Sequence, residues 1–154
     1  MAIIGIIAEY NPFHTGHEYH IARSRELLGA DSTVICVMSG DFVQRGEAAL
    51  YSKFARAEAA CRCGADLVIE LPMPWALSAA GFARGAVGLL GALGAAHLSF
   101  GSECGDVQRL ERIAENLIDP AVNAEISREL NENANNSYAS ARQTVLARRL
   151  GDEA

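Results

Sequence analysis

The sequence predicts an α/β domain on a doubly wound parallel sheet, followed by a helical C-terminal tail. Three observations carry this. Apolar runs alternate with segments of helical spacing, the first runs are apolar at consecutive positions, and nothing strand-like follows Gly101. A continuously apolar strand must be covered on both faces, as in a parallel sheet between two layers of helices. Half of the 154 residues are hydrophobic, which suits one buried core better than two.

The first run, AIIGIIA at residues 2–8, is the clearest strand, and STVICVM at 32–38 and DLVIEL at 66–71 share its character. AHLSF at 96–100 is a weaker fourth. Residues 16–28, 52–63 and 77–92 place Ala, Leu, Ile and Arg at helical intervals between them, so the order reads β-α-β-α-β-α-β with right-handed crossovers. Beyond Gly101 the composition favours three short helices. Pro120 interrupts that region, NENANNS from Asn131 to Ser137 is a polar connector, and Ser137 is placed to cap the last helix. The expected division is a nucleotide-binding domain at 1–104 and a helical extension at 105–154, packed on the same domain and truncated.

Charged residues make up 21%, and the 14 Gly and 4 Pro follow no period, which excludes collagen-like, coiled-coil and low-complexity chains. No run of 18 apolar residues and no signal-peptide pattern is present, so a cytoplasmic chain with no membrane partner is expected. Cys36, Cys61, Cys63 and Cys104 then read as reduced thiols, with a zinc role for Cys61 and Cys63 as the alternative. The net charge is −6 and Lys53 is the one lysine among 13 basic residues. A polynucleotide must therefore be gripped by a local arginine cluster or by polypeptide outside this chain.

An open parallel sheet binds ligands beyond the carboxyl ends of its strands. The loop there after the first strand reads EYNPFHTGHEYH, with His14, Gly16 and His17 in an H-x-G-H arrangement. Thr15 and Glu18 have capping-box spacing and would open the helix. Unpaired amides and the helix dipole would favour a phosphate, Gly16 would let a nucleotide approach, and the two imidazoles could donate to a departing pyrophosphate without proton transfer. Two other readings stay open: ordinary polar residues at a helix start, or a metal site that adds His20.

The second loop, SGDFVQRGE, faces the same crevice and offers Asp41 and Arg45. Arg45 could hold a carboxylate or phosphate, and Asp41 could orient it, hold Mg²⁺ through water or face an incoming amine; a surface ion pair is the plain alternative. Lys53 and Arg56 open the second helix and reach either the phosphates or solvent. Trp75 and Ala76, beyond the prolines at 72 and 74, could wall an acyl pocket or pack in the core, and Glu70 suits a structural hydrogen bond as well as catalysis. The G-x-G-x-x-G fingerprint and the P-loop are both missing.

Taken together, GIIAEYNPFHTGHEYHI, VMSGDFVQRGE, ADLVIELP and FGSE, spread from Ile3 to Glu103, closely resemble the amino-terminal part of the bacterial tRNA(Met) cytidine acetate ligase family, within the wider HIGH-motif nucleotidyltransferase group. The resemblance implies a Rossmann-like fold. It also implies activation of acetate by ATP to acetyl-adenylate, with transfer of the acetyl group to N4 of the wobble cytidine in elongator tRNA(Met). By position it assigns ATP binding to Ile7, Ala8, Glu9, Tyr10, Asn11, Pro12, Phe13, His14, Thr15, Gly16, His17, Glu18, Tyr19 and His20, and to Gly101. Mg²⁺ would bridge the phosphates, and His14, His17, Asp41 and Arg45 become the catalytic candidates. The chain departs from the family in lacking its asparagine-rich PNN block and carboxyl-terminal region, so it is expected to be an incomplete catalytic part that meets tRNA through regions it does not contain. The rivals are an adenylyltransferase acting on a phosphorylated cofactor precursor and a nucleotide-binding module without turnover.

Overall fold

The computed structural model describes residues 1–133 and 136–151, except for the side chain of Arg45. The connector residues 134 and 135 lie outside the described residues. The chain forms two compact units, Met1–Gly101 and Ser102–Ala154.

In the first unit, β1 (Ile3–Ala8), β2 (Thr33–Ser39), β3 (Leu67–Leu71) and β4 (His97–Ser99) build a four-stranded sheet in the order β3-β2-β1-β4. All neighbouring pairs are parallel, with Ile4 opposite both Val34 and His97, and Val37 opposite Ile69. The helices between them are α1 (Thr15–Leu28), α2 (Lys53–Arg62), the short α3 (Met73–Ala76) and α4 (Ala79–Ala92). The helix expected across 77–92 forms as α4, and the short α3 before it was not expected; Pro74 suits its first turn, and Ser78 accepts from the Gly81 amide to start α4.

The strands alternate their side chains between two cores, which is why their runs are apolar throughout. Ile4, Ile6, Val34, Cys36 and Met38 pack with Ile21 of α1 and Ala60 of α2. Ile3, Ile7, Ile35 and Val37 point the other way, towards Ala76 of α3 and Phe82, Ala86 and Leu90 of α4. At the middle of β1, α4 comes so close that a β-carbon on Gly5 would lie 2.6 Å from Leu90 Cδ1. Successive crossovers step β1 to β2 to β3 in one direction, and the connection to β4 returns past β1. The carboxyl ends of β1 and β4 therefore flank the point where connections leave in opposite directions, the usual place for a ligand in such sheets.

The second unit holds α5 (Val107–Ile118), α6 (Pro120–Glu132) and α7 (Tyr138–Leu150), matching the three helices expected. Asp119 caps α6 with Pro120 in its first turn, and Ser137 caps α7 by accepting from the Ser140 amide. Val122, Ile126, Ala141 and Val145 form its core. Arg149 joins Asp119 and Glu125 at 2.9 and 2.7 Å.

Candidate functional site

Past Ala8, the last residue of β1, the chain turns sharply. Tyr10 adopts φ 49°, a left-handed conformation that costs a bulky residue energy. The turn sends its ring into the core, with the hydroxyl 3.2 Å from Cys36 Sγ. Burial, and then the neighbouring thiol, push the Tyr10 phenol up, while burial raises the thiol to about 11. Both groups therefore stay neutral, and the tyrosine forms part of the wall of the site.

The start of α1 differs from its expected form. Its N-cap is His14, in extended conformation, and Thr15 is the first helical residue. The Gly16 amide donates to His14 Nδ1 at 3.1 Å, and the His14 amide donates to His17 Nδ1 at 3.2 Å. The two imidazoles thus close a reciprocal cap of the kind expected from Thr15 and Glu18. The rings stack with centroids 3.7 Å apart, and Tyr10 and Phe13 hold His17 by its other sides at 4.9 and 5.4 Å. Gly16 is small for the sake of His14: a β-carbon there would sit 3.0 Å from His14 Cε1. The Gly16 and His14 amides are therefore satisfied by imidazole lone pairs and are not left open for a phosphate. Because both Nδ1 atoms accept, each neutral ring carries its proton on Nε2. Burial first, then the neighbouring His14 and His20, hold His17 below the usual histidine range. At neutral pH it is an uncharged N–H donor.

Side chains of the first loop lace the second loop to it. Glu9 Oε1 accepts from the Gln44 amide at 2.8 Å, and Asn11 Oδ1 from the Leu50 amide at 2.7 Å. Arg56 is 2% exposed and turns inward, which corrects the solvent-facing reading of it from sequence. Its guanidinium donates to the carbonyls of Tyr51, Glu9, Ser39 and Gly40, at 3.0 Å for Tyr51 and 3.2 Å for Ser39. These main-chain bonds fasten the carboxyl ends of β1 and β2 and use four of the five guanidinium N–H groups. Lys53 pairs with Glu70 Oε2 at 2.7 Å, and Asp41 Oδ1 accepts from the Lys53 amide at 3.0 Å, reinforcing the start of α2. Glu70 crosses Gly40 so closely that a β-carbon there would collide with its carboxylate. Arg45 lies in a 3-10 turn over Gln44–Gly46, and its side chain is outside the described residues.

Between the end of β1, the loop that follows it and α1 opens a cleft of about 410 Å³, lined by Ile6, Ile7, Ala8, Glu9, Tyr10, Asn11, Pro12, His14, His17 and His20. Its size falls within the range of small-molecule sites, roughly 300–1,000 Å³. Nine of the fifteen residues assigned to ATP by the resemblance meet there, whereas Asp41, Lys53 and Arg56 do not line it. Phe13 instead lines a neighbouring hollow with Tyr51 and Arg56. Thr15, Glu18 and Tyr19 are exposed on α1. Gly101, two residues past β4, is exposed, and a β-carbon there would meet nothing within 4 Å. Trp75 packs over Gly85 and Ala76 is buried in the α4-side core; neither lines the cleft. Sequence reasoning missed Ile6, Ser24 and Ser99. The two serines hold His20, whose Nε2 lies 2.8 Å from Ser99 Oγ, and the spacing of Ser24 one helical turn after His20 was the available signal. Among the described residues, no group of three or more His, Cys, Asp or Glu side chains is arranged to hold a metal ion. Among the described residues, no helix is long and apolar enough to cross a membrane.

A family model described as HIGH Nucleotidyl Transferase matches residues 1–153. The chain belongs to that family. This HIGH nucleotidyl transferase chain is 56% identical over 118 residues to a tRNA(Met) cytidine acetate ligase of Syntrophotalea carbinolica, an alignment covering 76% of the chain and 28% of the relative. It is 46% identical over 150 residues to that of Acetivibrio thermocellus, covering 95% and 35%. Its structure matches Thermotoga maritima TmcAL bound with alpha-thio ATP, with a TM-score of 0.86 at 43% identity, over 97% of this chain and 37% of the other. The apo form of the same protein gives 0.87. The resemblance drawn from the four motif blocks is therefore homology. The chain spans about a third of the length of these curated relatives.

Proposed function

We propose that this chain binds ATP in the cleft and is the adenylating part of a tRNA(Met) cytidine acetate ligase. The observation that carries the reading is the stacked His14–His17 pair, whose Nε2–H groups are left over after both Nδ1 atoms are used as caps. Two N–H donors fixed at the positive end of α1 suit the oxygens of a departing pyrophosphate, on which charge grows as acetate attacks the α-phosphorus. The transfer needs no proton from either ring. The bond from the α-phosphorus to pyrophosphate breaks, acetyl-adenylate forms, and attack by the cytidine N4 amine then releases AMP.

Mg²⁺ would travel with the triphosphate, and Asp41, exposed and with only one carboxylate oxygen committed to the Lys53 amide, suits a hydrated ion. Gly101, open beyond β4, leaves room for base or ribose. The net charge of −6 supports tRNA capture mainly by polypeptide outside these residues. The homologues' names and the nucleotide-bound neighbour favour this reading over an adenylyltransferase. Calorimetry of the chain with ATP, with and without Mg²⁺, should show binding that His17→Ala weakens. Exchange of pyrophosphate into ATP should then require acetate. Exchange that ignores acetate but yields a dinucleotide-like product from a phosphorylated precursor would favour the adenylyltransferase.

A further inference from the structure

Two hydroxyls and one imidazole at the junction of α1 and β4 form a chain whose protons can be counted. Ser24 Oγ donates to the His20 carbonyl at 2.7 Å, Ser24 Oγ and Ser99 Oγ lie 2.7 Å apart, and Ser99 Oγ lies 2.8 Å from His20 Nε2. Each serine has one proton to give. That of Ser24 goes to a carbonyl, which only accepts, so Ser99 must donate to Ser24. With its proton spent, Ser99 can only accept from the ring, and His20 must carry its proton on Nε2. Nδ1 is left bare. Ser24 is 2% exposed, so the Ser24 end of the chain is shielded from water, while Ser99 and His20 are half-buried. Burial holds His20 below the usual histidine range, which keeps the ring neutral.

His20 lines the cleft, and no hydrogen bond joins its Nδ1 to a partner among the described residues. The polarity along α1 therefore reverses within the site. His14 and His17 offer N–H donors, which match phosphoryl oxygens; His20, about 4.5 Å further along the helix, offers a lone pair, which would repel them. Polyphosphate presents acceptors alone, whereas a nucleoside brings O–H and N–H donors.

We propose that Ser99 and Ser24 are positioning residues that lock His20 in its Nε2–H form, so that Nδ1 accepts from a donor on the nucleoside, a ribose hydroxyl or the exocyclic amine. This rests on the reading of the cleft as an ATP site. It makes His20 a selector for the nucleoside, distinct from the phosphate-facing pair.

Nitrogen-15 NMR of the free chain tests the lock without any ligand. His20 should appear as the Nε2–H tautomer, Ser99→Ala and Ser24→Ala should mix the tautomers, and Ser99→Thr should restore the original. An Nδ1–H ring in the wild type, or variants that leave the tautomer unchanged, would overturn the proposal. Calorimetry with ATP, 2′-deoxy-ATP, 3′-deoxy-ATP and purine riboside triphosphate tests recognition. Ser99→Ala should weaken ATP about tenfold, the effect of one good hydrogen bond. One analogue should bind wild type and variant alike, and that analogue names the donor. Equal weakening of all four ligands, or of none, sinks the selector while leaving the ATP site standing. No binding of any triphosphate by a chain with the Nε2–H tautomer sinks the ATP reading, and the selector with it, while leaving the lock intact.

Discussion

A main-chain amide at the start of α1 needs the lone pair of each imidazole, so His14 and His17 serve the helix with Nδ1 and keep Nε2–H for the proposed ligand. The two duties can be separated. Asparagine is among the best N-caps, yet it lacks a nitrogen at the position of Nε2. His14→Asn should leave stability within about 0.5 kcal/mol of wild type, because cap replacement among good caps is nearly neutral. It should still lower acetate-dependent pyrophosphate exchange by on the order of 10² to 10³, the usual effect of one lost donor. His14→Ala should lose both, with a helix-cap cost of about 0.5–2 kcal/mol in urea unfolding. If His14→Asn exchanged pyrophosphate at the wild-type rate, the ring would be a cap and nothing more. Arg56 teaches the same lesson at another residue, since a cation in the first turn of a helix reads as solvent-facing until the carbonyls around it are seen. Replacing it with methionine keeps the apolar stem but strands buried acceptors. It should destabilise by at least about 1–3 kcal/mol and loosen the two loops at the cleft, detectable as faster amide exchange at Gln44 and Leu50.

Among the elements, β1 carries the heaviest constraint. It is central in the sheet, apolar on both faces, and ends at the cleft. Its one glycine, Gly5, lets α4 lie against it, with Leu90 filling the space a side chain would take. Gly5→Ala should therefore overpack this contact and cost about 1–3 kcal/mol. Leu90→Ala alone should cost about 2–5 kcal/mol by leaving a cavity. The double variant should be clearly more stable than the sum of the two costs, because the new methyl occupies part of that cavity. Strict additivity in urea midpoints would mean that α4 does not approach β1 as closely as described. The cleft depends on this layer indirectly, since a shift of β1 moves Ile6 and Ile7 in its wall.

Over the whole molecule, the histidines set a pH dependence whose sign follows from burial. His17 and His20 are held below the ordinary histidine range in the folded chain, while in the unfolded chain they titrate near about 6.5. Below that pH the unfolded state binds more protons, so stability falls as pH drops from about 6.5 towards the lowered values and is flat with respect to these groups above about 7.5. The lowered carboxylates Asp119 and Glu125 act only at more acid pH. Urea midpoints between pH 7.5 and 5.5 should fall, and the fall should shrink in His20→Gln. A midpoint constant across that window would contradict the buried neutral rings.

Hydrophobic spacing alone was enough to specify the layered sheet, the strand order of the elements along the chain and the three terminal helices. Burial on both faces leaves a run such as Ala2–Ala8 no polar position, and that is visible without coordinates. The motif loop was legible too, since His14, Gly16 and His17 stand together in the chain. Their division of labour was not. Whether Thr15 or His14 caps the helix, whether Arg56 faces solvent or carbonyls, and which nitrogen of His20 is bare all turn on partners 2 to 79 residues away. Hydrogen bonds have direction and a limited supply of protons. Only folding brings Ser99 to His20 and Glu9 to Gln44, and only then is each lone pair assigned.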